Sequence, residues 1–190
     1  MQINGGRNDM FVAWADSGAM PMSYWDGTRM EMWKIAQRYT MADHFFMGTF
    51  GGSFINHQWL ACACVPVYPH ADTSPAAASI SVATPDGTAL VVAPDSPASA
   101  MDGIPKFVRD GNLTPDFHAI NTMQPAYQPS ANPAAAGQDA RYADPASPTT
   151  LPPQTEAPLG ARLSARHITW AWDAGAWQDV LDHGNHYPAP

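Results

Sequence analysis

The sequence predicts an α/β domain, and three features carry that expectation. Residues 44–64 read as a short strand or strand edge, a glycine corner and a helix. Residues 155–183 read as helix, strand and helix in succession, which is how a layered α/β fold is built. Between them, residues 66–153 hold 15 of the 19 prolines, so a long irregular segment interrupts the layers. One domain in three zones results: 1–65, 66–153 and 154–190.

In the first zone, Thr28-Arg29-Met30-Glu31 matches a capping box, in which hydroxyl and carboxylate satisfy free backbone N–H groups. Met32, Ile35, Ala36 and Tyr39 then recur at helical spacing, opposite Glu31, Lys34 and Arg38, predicting an amphipathic helix over 29–41. His44 to Met47 form a short apolar run, expected as a buried strand or its edge. After the corner Gly51-Gly52, Ser53 is placed to cap a helix running to about Cys64.

The proline-rich zone contains one expected β-hairpin. Ser79 to Ala83 and Thr88 to Val92 flank Thr84-Pro85-Asp86-Gly87, a sequence with turn chemistry. Phe107, Phe117 and Tyr127 are anchors that a solvated linker would lack, so the zone should wrap in order onto a core. In the third zone, residues 155–166 predict a helix with Thr155 as cap and Pro158 in the first turn. Ile168, Trp170 and Trp172 alternate as a strand, and 176–183 predict a short helix with Trp177, Val180 and Leu181 inward.

Composition limits what such a chain can do. Its 190 residues are 45 % hydrophobic and 11 % aromatic, enough for a core and against full disorder. Nine Lys and Arg, a net charge of −8 and no basic run argue against nucleic-acid binding, which needs clustered cations. No apolar run approaches the roughly 20 residues of a membrane span. The opening Met-Gln-Ile-Asn-Gly-Gly lacks a signal-peptide layout. Cys62 and Cys64, one residue apart, suit neither a zinc half-site nor a dithiol redox motif, and are expected as small buried apolar residues.

The chemistry centres on Ser53. A serine at a helix N-terminus sits where backbone N–H groups and the helix dipole favour an anion, which would stabilise both an alkoxide and phosphate oxygens. Asn56 and His57 lie about one turn on and could donate to a bound oxyanion. On these residues alone, Ser53 as a plain cap and His57 as a packed histidine are the simpler account.

The string Phe46-Met47-Gly48-Thr49-Phe50-Gly51-Gly52-Ser53-Phe54-Ile55-Asn56-His57-Gln58-Trp59-Leu60 resembles the nucleophile segment of the bacterial acid phosphatase and phospholipase C family. Its acid phosphatase branch is the nearer, since the lipase branch carries Gly-Pro-Thr-x-x-Asn-Arg. The resemblance makes Ser53 the nucleophile and Asn56 the retained amide, and puts His57 where the lipase branch has Arg. Asn4-Gly5-Gly6-Arg7-Asn8-Asp9-Met10-Phe11 resembles the family's Asn-Gly-Gly-Lys-Met-Asp-x-Phe, which makes Asn4 a substrate-binding amide. Thr114-Pro115-Asp116-Phe117, Leu151-Pro152-Pro153-Gln154 and Trp170-Ala171-Trp172 extend the likeness over most of the chain.

What the resemblance implies is a partial alkaline-phosphatase-like α/β/α sandwich, with 1–65 bearing the nucleophile and 66–153 inserted. It implies a phosphoric ester hydrolase acting through a phosphoserine intermediate, on a small-molecule or lipid phosphate ester, in the periplasm or outside the cell. It also implies a divalent metal ion that Ser53 touches, with ligands on segments not found here. Asp9, Asp16, Asp26 and Asp43 are scattered singly, and His70, His118, His167, His183 and His186 lack two-ligand spacing. This segment alone is therefore expected to bind no metal, to be inactive, and to self-associate through an unpaired strand edge. The other reading is a catalytically incomplete relative that serves as a non-enzymatic binding module.

Overall fold

A computed structural model of the protein describes residues 1–15, 17, 20–98, 102–173, 178 and 182. The chain divides into two compact units, Met1–Met47 with Thr84–Val108, and Gly48–Ala83 with Arg109–Pro190. Four α-helices are present among the described residues: α1 Phe11–Trp14, α2 Glu31–Arg38, α3 Ser53–Cys62 and α4 Leu159–Ser164. Every β contact among these residues is an isolated bridge, so the sheet of the anticipated sandwich does not appear in them.

In the first unit, Asn4–Gly6 form a 3-10 turn and α1 sets Trp14 against Phe107, ring centroids 6.4 Å apart. Helix α2 is shorter than the predicted 29–41. Thr28 does not cap it: the Asp26 carboxylate accepts both its hydroxyl, at 2.7 Å, and its N–H. That local turn competes with the capping box, so Met30 is the N-cap, without a side-chain bond. No residue of α2 is buried. Phe45, Phe46 and Met47 are also exposed, so the run from His44 is neither a strand nor buried, contrary to expectation.

The predicted turn at Thr84–Gly87 forms, with the Gly87 N–H donating to Thr84 O and the Thr84 N–H to Ala89 O, each at 2.8 Å. Its arms, however, find other partners. Val108 and Ala93 donate to Val91 and Lys106 in an antiparallel bridge within the first unit. In the second unit, Ser81 and Val82 donate to Leu113 and Arg109.

The second unit holds the core. Tyr68, Ala71, Ala76, Leu113, Ala119, Met123 and Leu151 form the buried cluster, with Phe54, Ile80 and Phe117 packed on it. All but Phe54 come from the proline-rich zone, so this stretch supplies the core; it does not merely wrap one. Backbone pairing is replaced by side-chain substitutes. Gln154 gives and takes hydrogen bonds with both backbone groups of Val67, at 2.9 and 3.1 Å. Buried Ser81 accepts from the Gly111 N–H at 2.9 Å. These bonds satisfy backbone groups, exposed at Val67 and buried at Gly111, where no ladder forms.

Helix α4 starts four residues later than Thr155. Pro158 disfavours helical backbone at Ala157, so the helix can only begin after it. It ends at Ser164, and the turn that follows carries His167 left-handed at φ 57°. The expected strand at 168–172 is absent. The Ile168 N–H turns back to Leu163 O, and the Trp170 indole donates to Ser164 Oγ at 2.9 Å. Trp170 lies so close over Gly160 that a Cβ there would collide with its ring. Packing onto its own helix replaces pairing with a neighbour. Of the helix expected at 176–183, only Gln178 and Asp182 are described, Gln178 Nε2 donating to Asp182 Oδ1 at 2.9 Å; Trp177, Val180 and Leu181 lie outside the described residues.

Candidate active site

Helix α3 opens at Ser53, one residue inside the Gly52 N-cap. Ser53 is therefore the first helical residue and not the cap. Its side chain is exposed, and among the described residues it has no hydrogen-bond partner. The helix is fixed by the next two side chains: Phe54 packs on the core cluster, and Ile55 is only 3 % exposed.

The corner is shaped by close approach. A Cβ on Gly51 would sit 2.5 Å from Ile55 Cγ2, so only glycine admits the buried isoleucine there. Gly48 likewise meets the Trp59 indole, where a Cβ would collide with Cδ1.

Asn56 ties the corner together. Its Nδ2 faces the carbonyls of Thr49, Gly51 and Gly52 at 3.2, 3.2 and 3.0 Å, and its Oδ1 accepts from the Thr49 N–H at 3.3 Å. The amide thus holds the backbone of the corner. His57 Nδ1 lies 2.6 Å from Ser53 O. A carbonyl only accepts, so Nδ1 carries the proton and Nε2 is left to face solvent. Structure brings Ser53, Asn56 and His57 together on one helical turn. Sequence reasoning missed Thr49, whose backbone the Asn56 side chain grips; the asparagine four residues after Gly52 was the available signal.

Asn4 is built in the other unit. It is left-handed at φ 48°, with Nδ2 donating to Asp9 Oδ1 at 2.6 Å, and Asp9 also faces Arg7 at 3.6 Å.

The carboxylates serve local roles. Asp26 lies below its ordinary pKa because it accepts from Thr28, Asp86 because of Thr84 and then Thr88, and Asp116 chiefly because of Thr114. Asp43 accepts from or pairs with His44 at 2.9 Å. Asp16, His183 and His186 lie outside the described residues. Among the described residues no three His, Cys, Asp or Glu side chains converge as a metal would require. Ser53 offers one oxygen and Asn56 is committed to backbone, so these residues do not fit a divalent ion by themselves.

Cys62 and Cys64 correct another expectation. They are joined as a disulfide, half-buried, at the C-terminal end of α3. Their spacing was the signal, but it does not distinguish a bond from two packed thiols.

Comparison with known proteins decides the affiliation. The Phosphoesterase family model matches residues 1–189, essentially the whole chain. The chain belongs to the Phosphoesterase family. That membership places it, at family level, among hydrolases of phosphoric esters. No curated protein and no solved structure matches it. Among the described residues no helix is long and apolar enough to cross a membrane.

Proposed function

We propose that this chain carries the nucleophile segment of an acid phosphatase or phospholipase C type hydrolase, with Ser53 attacking phosphorus. The observation behind the reading is the exposed Ser53 hydroxyl at the first position of α3, beside a corner that Asn56 staples. The Ser53 oxygen forms a bond to phosphorus while the ester bond breaks and the alcohol leaves. Water then attacks the phosphoserine, releasing phosphate and restoring the hydroxyl. The opening N–H groups of α3 stabilise the charge that builds on the phosphate oxygens.

In this reading Asn56 positions the corner, and contact with the phosphate oxygens falls to the outward nitrogen of His57 in its doubly protonated form, since Nδ1 donates to Ser53 O and a neutral ring would leave Nε2 only an acceptor. Asn4 is proposed to bind substrate, a small-molecule or lipid phosphate ester. A divalent ion, held by ligands that the described residues do not assemble, would neutralise charge at phosphorus. An alkaline-phosphatase-like α/β/α sandwich in a longer protein, in the periplasm or secreted, completes the proposal.

Turnover of a chromogenic phosphate ester with divalent metal tests it. The 190-residue chain alone should stay at background. The longer protein should be active and lose roughly 10³-fold or more on Ser53→Ala, with its circular dichroism unchanged. Unchanged turnover would remove Ser53 from the mechanism. A second reading, a non-catalytic module that binds an anionic ligand, is favoured by the absence of a converging ligand set among the described residues. Phosphate binding without turnover in the longer protein would select it.

A further inference from the structure

The C-terminal end of α3 carries chemistry that phosphoester hydrolysis does not use. Cys62 and Cys64 are joined across a single residue, Ala63, which sits left-handed at φ 51°, ψ 39°. A residue with a Cβ is disfavoured there. A loop this short also restricts the unfolded chain little, so the bond adds little stability by loop closure. As a structural staple it is poorly placed.

The surroundings favour exchange. Cys62 Sγ lies 3.1 Å from Gln58 O. A disulfide sulfur has no proton to donate to that carbonyl, whereas a thiol does, so the reduced chain gains a hydrogen bond. Cys62 lines an open cavity of about 400 Å³ with Trp59, Leu60, Leu159 and Arg162. Arg162 is exposed, anchored by its Nε donating to Ala157 O at 3.2 Å. A guanidinium lining the same cavity as Cys62 draws an anionic reagent and favours thiolate over thiol there.

We infer that Cys62–Cys64 is a thiol–disulfide exchange site whose co-substrate is a small thiol bearing a carboxylate, received in the cavity beside Arg162. One thiolate attacks a cysteine sulfur, the Cys62–Cys64 bond breaks, and the second cysteine departs as thiolate and takes up a proton. Another thiolate attacks the mixed disulfide, releasing the small-molecule disulfide and the first cysteine. Two thiols are oxidised and one protein disulfide is reduced.

Reduction acts on α3 through Trp59. The Ala63 N–H closes the helix on Trp59 O at 2.8 Å, and the Trp59 ring meets Gly48 just before the stapled corner. Freed of the bond, Ala63 leaves the left-handed region and the last turn loosens. None of this depends on the phosphoester reading.

The oxidised chain is treated with mercaptoacetate, 2-mercaptoethanol or 2-aminoethanethiol at equal thiolate concentration, and its free thiols are counted by alkylation and mass spectrometry. Both cysteines should appear as thiols in the folded protein, with mercaptoacetate favoured over aminoethanethiol roughly fivefold beyond the ratio that thiol basicity alone sets. Arg162→Gln should abolish that preference without slowing mercaptoethanol, and Arg162→Lys should keep it. Amide exchange across 59–64 should rise about tenfold on reduction, and also in the Cys62→Ser, Cys64→Ser double variant without reductant. A disulfide reducible only after denaturation, or only by a protein dithiol, would overturn the inference. So would equal rates with the three thiols.

Discussion

Removing the Asn56 amide is the sharpest probe of the corner that presents Ser53. Nδ2 carries two protons and faces three carbonyls, so it makes two bonds at a time, and Oδ1 accepts a third from Thr49. At a net of about 1 kcal/mol each, total loss would cost about 3 kcal/mol. The corner is partly open to solvent, so water recovers part of this, and Asn56→Ala should cost roughly 1.5–2 kcal/mol. Asn56→Asp keeps the acceptor for Thr49 but turns a carboxylate oxygen toward three carbonyls. Even with a helix-dipole gain of about 0.5 kcal/mol, it should be no more stable than the alanine variant. Urea unfolding should show the midpoint falling by roughly 0.7–1 M, taking a slope of about 2 kcal/mol/M. Exchange of the Thr49 amide is the local readout and should accelerate on the order of 10-fold. An unchanged midpoint with unchanged Thr49 exchange would refute the staple, as would an aspartate variant matching the parent.

Three further outcomes rest on other contacts of the fold. Gly51→Ala puts a Cβ 2.5 Å from Ile55 Cγ2, and should destabilise by about 1–3 kcal/mol in a thermal melt. Asp139, held at a pKa of about 2 by Arg141, is depressed from 3.8. Its clasp with Arg141 is therefore complete above the unfolded value and is lost as pH falls through about 2. NMR shifts of Tyr142, whose ring lies under the Arg141 guanidinium at 5.8 Å, should move in that window and stay flat above pH 5. Finally, self-association should appear in light scattering at high concentration. The exposed Trp25, Phe45 and Phe46, each more than three-quarters accessible, drive it in place of the strand edge first expected. A clean monomer would count against this.

How much was legible depended on the range of the interaction. The glycine corner leading into α3 could be read because Gly51, Gly52 and Ser53 act within a few residues of one another. The turn at Thr84–Gly87 was readable for the same reason. Its arms were not, since alternation of Ile80 and Val82 with serine and alanine says nothing about which segment supplies the partner carbonyls. They came from Leu113 and Arg109. Trp170 misled for a related reason: period-2 alternation was real, but an indole with Ser164 and Gly160 in reach packs on its own helix. The Cys62–Cys64 bond escaped because a spacing fixes proximity and leaves oxidation state open.

The proline-rich zone turns out to matter most to the site. Fifteen prolines over 66–153 remove backbone donors and so suppress ladders, yet the same zone supplies Tyr68, Leu113, Met123 and Leu151 to the core. Proline lowers the entropy of the unfolded chain, so an irregular path needs fewer regular hydrogen bonds to stay ordered. Side chains such as Gln154 and Ser81 then satisfy the backbone groups left over. Phe54, directly after Ser53, packs on that core. The serine hydroxyl is therefore held in place by an irregular, proline-pinned cluster and by the Asn56 staple. Neither support comes from a sheet edge. A substitution such as Leu113→Ala, far along the chain, should then disturb the orientation of α3, while leaving the Thr49–Asn56 bonds intact.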